Sequence, residues 1–325
     1  MRIQSFVPPA VALALTLAAG TAAAQGEYPT KPVRLVVPFA PGGGTDVMAR
    51  AIGQKLTEAF GRTVIVDNRA GAHGFIGSEH VARQPPDGYT LLLSIATTHA
   101  AAQHLYQKMP FDPFRDFAPV TQVALSPIVM LVHPSFPAHT LRQFIDFAKA
   151  RPQQVSYGSF GHGSTAHLYG ELINLTAGTK LVHVPYKGSG PALQDLLGGQ
   201  IPAAFLDIAG PKGHIAAGKV RAIAVTGPQR WQALPDVATF RESGYPGFEI
   251  VGWFGLFAPT GTPRPIIDRL AREVTRIVKL PDVATRLVDL GTEPVGSTPE
   301  AFAAAWKADT DRWGEIIRRA GIRID

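Results

Sequence analysis

The chain has 325 residues, a formal net charge of +6, 46% hydrophobic residues and no cysteine. That length exceeds what one hydrophobic core usually fills, so two domains are expected, and without thiols their stability rests on packing rather than on crosslinks. The lysines and arginines are scattered, without the basic stripe interleaved with aromatics that a nucleic-acid binder needs, and no internal repeat appears.

The chain opens with Arg2, an apolar run centred on residues 11–17 and the small-residue segment Thr21-Ala22-Ala23-Ala24-Gln25. A positive start, a greasy middle and small residues at a cleavage point predict a secretory signal over residues 1–24, cut after Ala24. The run is too short, and too interrupted at Pro8 and Pro9, to hold the chain in a bilayer. The mature protein is therefore expected to be soluble and periplasmic. With no cysteine after the run, a lipid anchor is not expected.

From residue 33, short apolar runs alternate with helical patterns: 33–38, then 45–60, 63–66, 75–83 and 89–95. The pattern predicts an α/β fold built on a parallel sheet. In the first helix Val47, Met48, Ala51, Ile52, Leu56, Ala59 and Phe60 share a face, Thr45 or Asp46 can cap the start, and Gly61 can end it. A second alternating series runs from 128 to 226. A Pro- and Gly-rich stretch, 234–248, leads to an apolar run at 249–258 and then to helical patterns at 263–278, 283–290 and 299–319. Those last helices have no sheet of their own to cover. The simplest arrangement has residues 25–125 with 250–325 as one domain and 126–249 as the other, each a mainly parallel sheet flanked by helices, joined by a hinge of two crossings. A cleft between such domains is a usual place for a small ligand.

The loop 38–46 joins a strand end to a helix start, and open α/β sheets bind ligands at that edge. Its glycines let a ligand reach backbone, and the free N–H groups of the helix start attract negative charge. Phe39, Pro41, Gly42, Gly43, Thr45 and Asp46 are the candidates here, Asp46 acting either as a cap or as a partner for an ammonium group. Val47 stands where a dinucleotide fingerprint needs its last glycine, and no P-loop Gly-Lys-Ser/Thr follows. The loop 157–167 repeats the design, with Ser159, Gly163, Ser164, Thr165 and His167. Two helix starts could thus grip one anion from both domains, which would favour a closed state. Tyr186 and Lys187 follow another strand, as do Asp207 and the hydroxyl pair Ser94 and Thr97. Trp253 and Phe254 are expected to pack at the return crossing rather than to stack on ligand. No Gly-x-Ser-x-Gly elbow can be spelled, although Ser159 or Ser164 with His167 keeps an exported hydrolase as the competing class. His162 and His167, five apart, fall on different faces of a helix, so no metal site and no cofactor are expected.

These residues also resemble the Bug-type receptors of the tripartite tricarboxylate transporter family. The likeness runs over essentially the whole mature chain. It is carried by 28–34, 37–43 with Thr45-Asp46, 66–72, 86–91, Gly163-Ser164-Thr165 with His167, 184–188 and 217–222. It implies a type II periplasmic-binding-protein fold, a small carboxylate gripped by the loops beginning at Phe39 and Ser159 and no catalysis. It further implies delivery of solute to an integral membrane transporter or, less often, to a sensor kinase; a monomer is expected. Asp67, where family members often have Glu, and Leu206-Asp207-Ile208, where they often have an aromatic-Asp-Asn turn, are departures that leave ligand choice open.

Overall fold

The computed structural model describes residues 28–324, and the expected signal segment lies outside them. The first sheet begins with β1 (Val33–Val37), and α1 (Gly44–Phe60) follows directly. Next come β2 (Val64–Asn68), α2 (Phe75–Ala82) and β3 (Thr90–Ile95). A π-helical turn, Thr97–Ala101, and two short helices, α3 (Ala102–Leu105) and α4 (Pro113–Asp116), lead into β4 (Phe117–Ser126). Gly61 ends α1 in the left-handed conformation at φ 59°, as its position predicts.

Only Pro127 separates β4 from β5 (Ile128–Val132), which belongs to a second sheet. All five residues of β5 are buried, as a strand covered on both faces requires. The second series continues with α5 (Leu141–Lys149), β6 (Ser156–Ser159), α6 (Thr165–Ala177), β7 (Val182–Pro185) and α7 (Ser189–Leu197), then β8 (Ala203–Asp207), α8 (Lys212–Ala216) and β9 (Arg221–Val225). The chain returns through β10 (Gly252–Pro259) to α9 (Arg264–Ile277), α10 (Pro281–Asp289), β11 (Glu293–Pro294) and α11 (Pro299–Ala320). The Thr298 hydroxyl accepts from the Ala301 N–H, and Pro299 fills the first turn of α11, where its missing N–H costs nothing.

The expectation of mainly parallel sheets needs correction. In the first sheet, ordered β11-β4-β10-β3-β1-β2, β1 is parallel to β2 and β3, but β10 is antiparallel to β3 and β4. In the second, ordered β7-β6-β8-β5-β9, β6 is parallel to its neighbours and β5 antiparallel to both of its own. The cause is the double crossing. β4 carries the chain out and β10 brings it back beside it, Ser126 against Gly252, so the two must run in opposite directions. β5 reads as the continuous buried run expected of a parallel strand yet pairs antiparallel, because burial on both faces, not direction, sets that pattern.

The last helices cover the first sheet, as their amphipathic patterns require: Ile267, Leu270, Ala271, Val274 and Ile277 of α9 are buried in a core with Val33, Leu35, Met48 and Ile52. α11 also reaches the other lobe. Its Trp313 meets Tyr169 of α6 edge to face at 5.3 Å, and one apolar cluster contains Val36 and Phe257 of the first sheet together with Met130 and Phe205 of the second.

Candidate functional site

Between the lobes lies a cavity of about 540 Å³. The first lobe lines it with Phe39, Gly43, Gly44, Thr45, Ile95, Ala96, Thr97, Ser126, Gly252, Trp253, Phe254, Leu290 and Thr292, and the second with Ile128, Phe160, Thr165, Gly188, Ser189, Asp207 and Ala209. Three helices therefore start at its wall: α1 at Gly43–Thr45, α6 at Thr165 and α7 at Gly188–Ser189.

Each start leaves backbone donors. Gly43, the residue before α1, provides no side-chain cap, and the first bond of the helix runs from the Val47 N–H to the Gly43 carbonyl. The N–H groups of Gly44, Thr45 and Asp46 thus have no carbonyl within the helix to bond. In α6 the Ser164 hydroxyl accepts from the His167 N–H at 3.3 Å, and the first helical bond is Leu168 to Ser164, which leaves Thr165 and Ala166 likewise. Gly188 precedes α7 without a side-chain cap, at φ 115°, a conformation that favours glycine.

Of the residues expected from sequence, Phe39, Gly43, Thr45, Thr97, Thr165 and Asp207 line the cavity. The others stand outside its wall. Asp46 is neither the first-residue cap nor a free carboxylate. Its Oδ2 accepts from the Gly42 N–H and from Arg50 Nε, each at 2.9 Å. Burial alone would raise its pKa, but those bonds hold it below the ordinary carboxylate value, so it fastens the loop that contains Pro41 and Gly42. Ser94 is buried within β3, opposite Gly255 of β10. Ser164 donates to the Gly161 carbonyl at 2.6 Å. The Tyr186 hydroxyl donates to Asp195 at 2.7 Å, and Lys187 is exposed. Gly163, at φ 72°, is held where a Cβ would strike Ile324 at 2.1 Å. Asp67 pairs with Arg34 and Arg69 on β2, away from the cavity.

Sequence reasoning missed Phe160, and Phe254, expected to pack at the return crossing, packs there against the first core while also reaching the cavity. Both are partly exposed and line the cavity; Phe254 pairs with Ile95 across β10 and β3. Trp253 also meets the cavity but is almost wholly buried, its indole N–H donating to Asp309 Oδ2 at 2.9 Å. The π-helical turn that presents Thr97 had no signal in the sequence pattern. Such turns are frequent at functional sites.

The histidines also need correction. His162 lies in the turn before α6, so its ring comes within 4.8 Å of His167 instead of facing away, and His183 of β7 joins them. Their nitrogens lie within 4.8 Å of one another, a grouping that could hold a metal ion. The bonding as it stands opposes that use. His167 Nδ1 accepts from the Gly163 N–H at 3.1 Å, and His183 Nε2 is 2.7 Å from the Ser159 hydroxyl. The His167 and His183 rings stack at 3.8 Å and 11°, so their in-plane lone pairs run side by side rather than converging. Burial and then repulsion from its neighbours push His167 down to about 3, and burial followed by His162 pushes His183 down to about 4. Ser159 is fully buried and Ser164 is engaged as a cap, so the hydrolase reading has no accessible nucleophile–base pair at the residues it invoked.

The family model described as "Tripartite tricarboxylate transporter family receptor" matches residues 48–322. The chain belongs to that family. BugT of Bordetella pertussis (strain Tohama I) is 37% identical to this receptor over 298 residues, 91% of each chain. An R. palustris protein solved with adipate is 37% identical, with a TM-score of 0.80, covering 91% of this chain and 99% of its own. MatC from Rhodopseudomonas palustris, solved with malate, is 34% identical with a TM-score of 0.76, covering 89% and 100%. The family is one of solute-binding receptors rather than enzymes, and the two-lobed α/β architecture is that of periplasmic binding proteins.

Proposed function

We propose that this receptor captures a small carboxylate in the interlobe cavity and delivers it, in the periplasm, to a membrane transporter of the tripartite tricarboxylate type. On this reading residues 1–24 direct export and are removed. One observation carries the proposal: helix starts from both lobes, with N–H groups that no helical carbonyl satisfies, border one cavity. Such groups favour a negatively charged guest. A guest that touches both lobes binds the closed arrangement better than the open one, which is what couples capture to closure. Adipate and malate in related structures agree with a carboxylate guest. Among the described residues no helix is long and apolar enough to cross a membrane.

The test is a thermal-shift panel of organic acids, each paired with its amide or methyl ester. A guest that binds only the folded state raises the melting temperature by mass action, by about 2.7 kcal/mol of stability at a hundredfold excess over Kd. Acids should stabilise and their neutral counterparts should not. Equal stabilisation by esters or amides would remove the carboxylate grip.

A further inference from the structure

The chemistry of the cavity wall selects among carboxylates, and this inference rests on the function proposed above. No lysine, arginine or histidine lines the cavity, and among the described residues Asp207 is its single ionisable lining residue. Lys187, the nearest cation in sequence to the Gly188–Ser189 wall, is exposed outside it. Asp207 ends β8 opposite Ile128, at the crossing between lobes. Its Oδ2 accepts from the Ser189 hydroxyl, and its Oδ1 accepts a long bond, 3.5 Å, from the Gly210 N–H. An ionised carboxylate has about four lone-pair sites, so acceptor capacity remains for a guest. Apart from the hydroxyls of Thr45, Thr97, Ser126, Thr165, Ser189 and Thr292, which are neutral, the wall is apolar, with the rings of Phe39, Phe160 and Phe254 partly exposed to it and Leu290 beside them.

We infer that the guest is a monocarboxylate on an aromatic body with a hydroxyl or amino donor at the Asp207 end. The helix-start amides satisfy one carboxylate. A second would find no cation in the wall to neutralise it and would meet Asp207 as a like charge, repelled more strongly between protein walls than in open water. A donor on the guest instead completes the acceptor sites of Asp207. A cavity of about 540 Å³ edged by phenyl rings suits a planar apolar body, which gains area burial and ring contacts together. A four-carbon diacid would leave those rings against water.

Calorimetric titration of the intact mature receptor with 4-hydroxybenzoate, benzoate, adipate and malate tests the assignment. The hydroxylated aromatic acid should bind tightest, with benzoate about tenfold weaker, as expected for loss of one hydrogen bond to a charged acceptor, and both diacids weaker still. Asp207→Asn should shift the preference towards adipate over 4-hydroxybenzoate by about tenfold or more, because it removes the like charge. Phe254→Leu, an apolar replacement away from Asp207, should weaken both aromatic acids and leave adipate within about threefold, which keeps the question decidable if the asparagine variant does not fold. A wild-type ranking with adipate or malate first, or an Asp207→Asn variant with unchanged preference, would overturn the aromatic assignment while leaving carboxylate capture intact. Binding of none of the four acids, with no acid of the wider panel stabilising, would instead bring down the carboxylate reading itself.

Discussion

At Gly43 the backbone is extended, φ −76° and ψ 167°, a conformation any residue adopts, and an added Cβ would meet only the Ala40 carbonyl at 3.7 Å. The glycine is thus not required by the turn; what it keeps open is access to the amides that begin α1. Gly43→Val should leave the melting temperature of the free receptor nearly unchanged while weakening guest binding by more than about tenfold, since the branched side chain would stand over those amides. Calorimetry and melting of the same preparation check both halves, and an unaltered affinity would take this loop out of the site. Gly170, by contrast, is structural: a Cβ there would lie 2.1 Å from the Tyr157 ring. Phe39, Thr97 and Asp207, at or just past the carboxyl ends of strands, and Thr165, at the start of the helix that follows one, are legible from sequence because an α/β pattern fixes which edge binds. Phe160 and Phe254 are not, because a phenyl ring looks the same to a hydropathy pattern whether it fills a core or faces a cleft.

At the scale of elements, α6 depends on the Ser164 cap. Ser164 accepts from the backbone of His167 while donating to Gly161, so one hydroxyl fixes both the helix start and the turn before it. Removing it by Ser164→Ala should cost about 1 kcal/mol, within the usual range for an N-cap, and should loosen the position of Thr165 at the cavity wall. Denaturant unfolding measures the first effect and guest affinity the second; a stability equal to the parent would mean that the turn holds itself. The longer helices are readable because periodicity and caps are local, whereas the short α3, α4 and α8 and the π-helical turn span too few residues to show a period. The ten-residue strand β4 escaped, its pattern diluted by partly exposed positions and Pro119, and so did the antiparallel return of β10, which is set by pairing across more than a hundred residues of chain.

For the whole molecule, the two crossing strands are not the sole link between lobes. α11 packs on the first sheet and on α6, the Tyr169 hydroxyl bonds the Ile250 carbonyl, and a Cβ on Gly291, after α10, would strike the Ala209 backbone of the other lobe at 2.6 Å. Closure must therefore proceed around a shared core. His99 is buried in that core, and in the second lobe His167 is buried and His183 half-buried. His99, enclosed by Phe257, Phe111, Phe117 and Trp306 with no hydrogen-bond partner on either ring nitrogen, is pushed down by burial to about 3, and His167 and His183 are held to about 3 and 4. Below the ordinary histidine value of about 6.5, the unfolded chain takes up protons that these folded sites refuse. Their stability is therefore complete above that pH and falls on acidification towards pH 4, by up to about 1.4 kcal/mol per pH unit for a site as buried as His99. Asp309, raised by burial to about 6 despite the Trp253 N–H, has the opposite sign: it binds its proton first in the folded state and adds stability between about pH 6 and 4. One carboxyl offsets one histidine, so the net effect is loss. Melting temperatures should hold between pH 7 and 8 and drop steadily below pH 6. His99→Phe should reduce that slope and raise the melting temperature at every pH, because a ring of similar shape replaces a buried polar group without partners. An unchanged acid slope in that variant would show that His99 accepts its proton in the folded state.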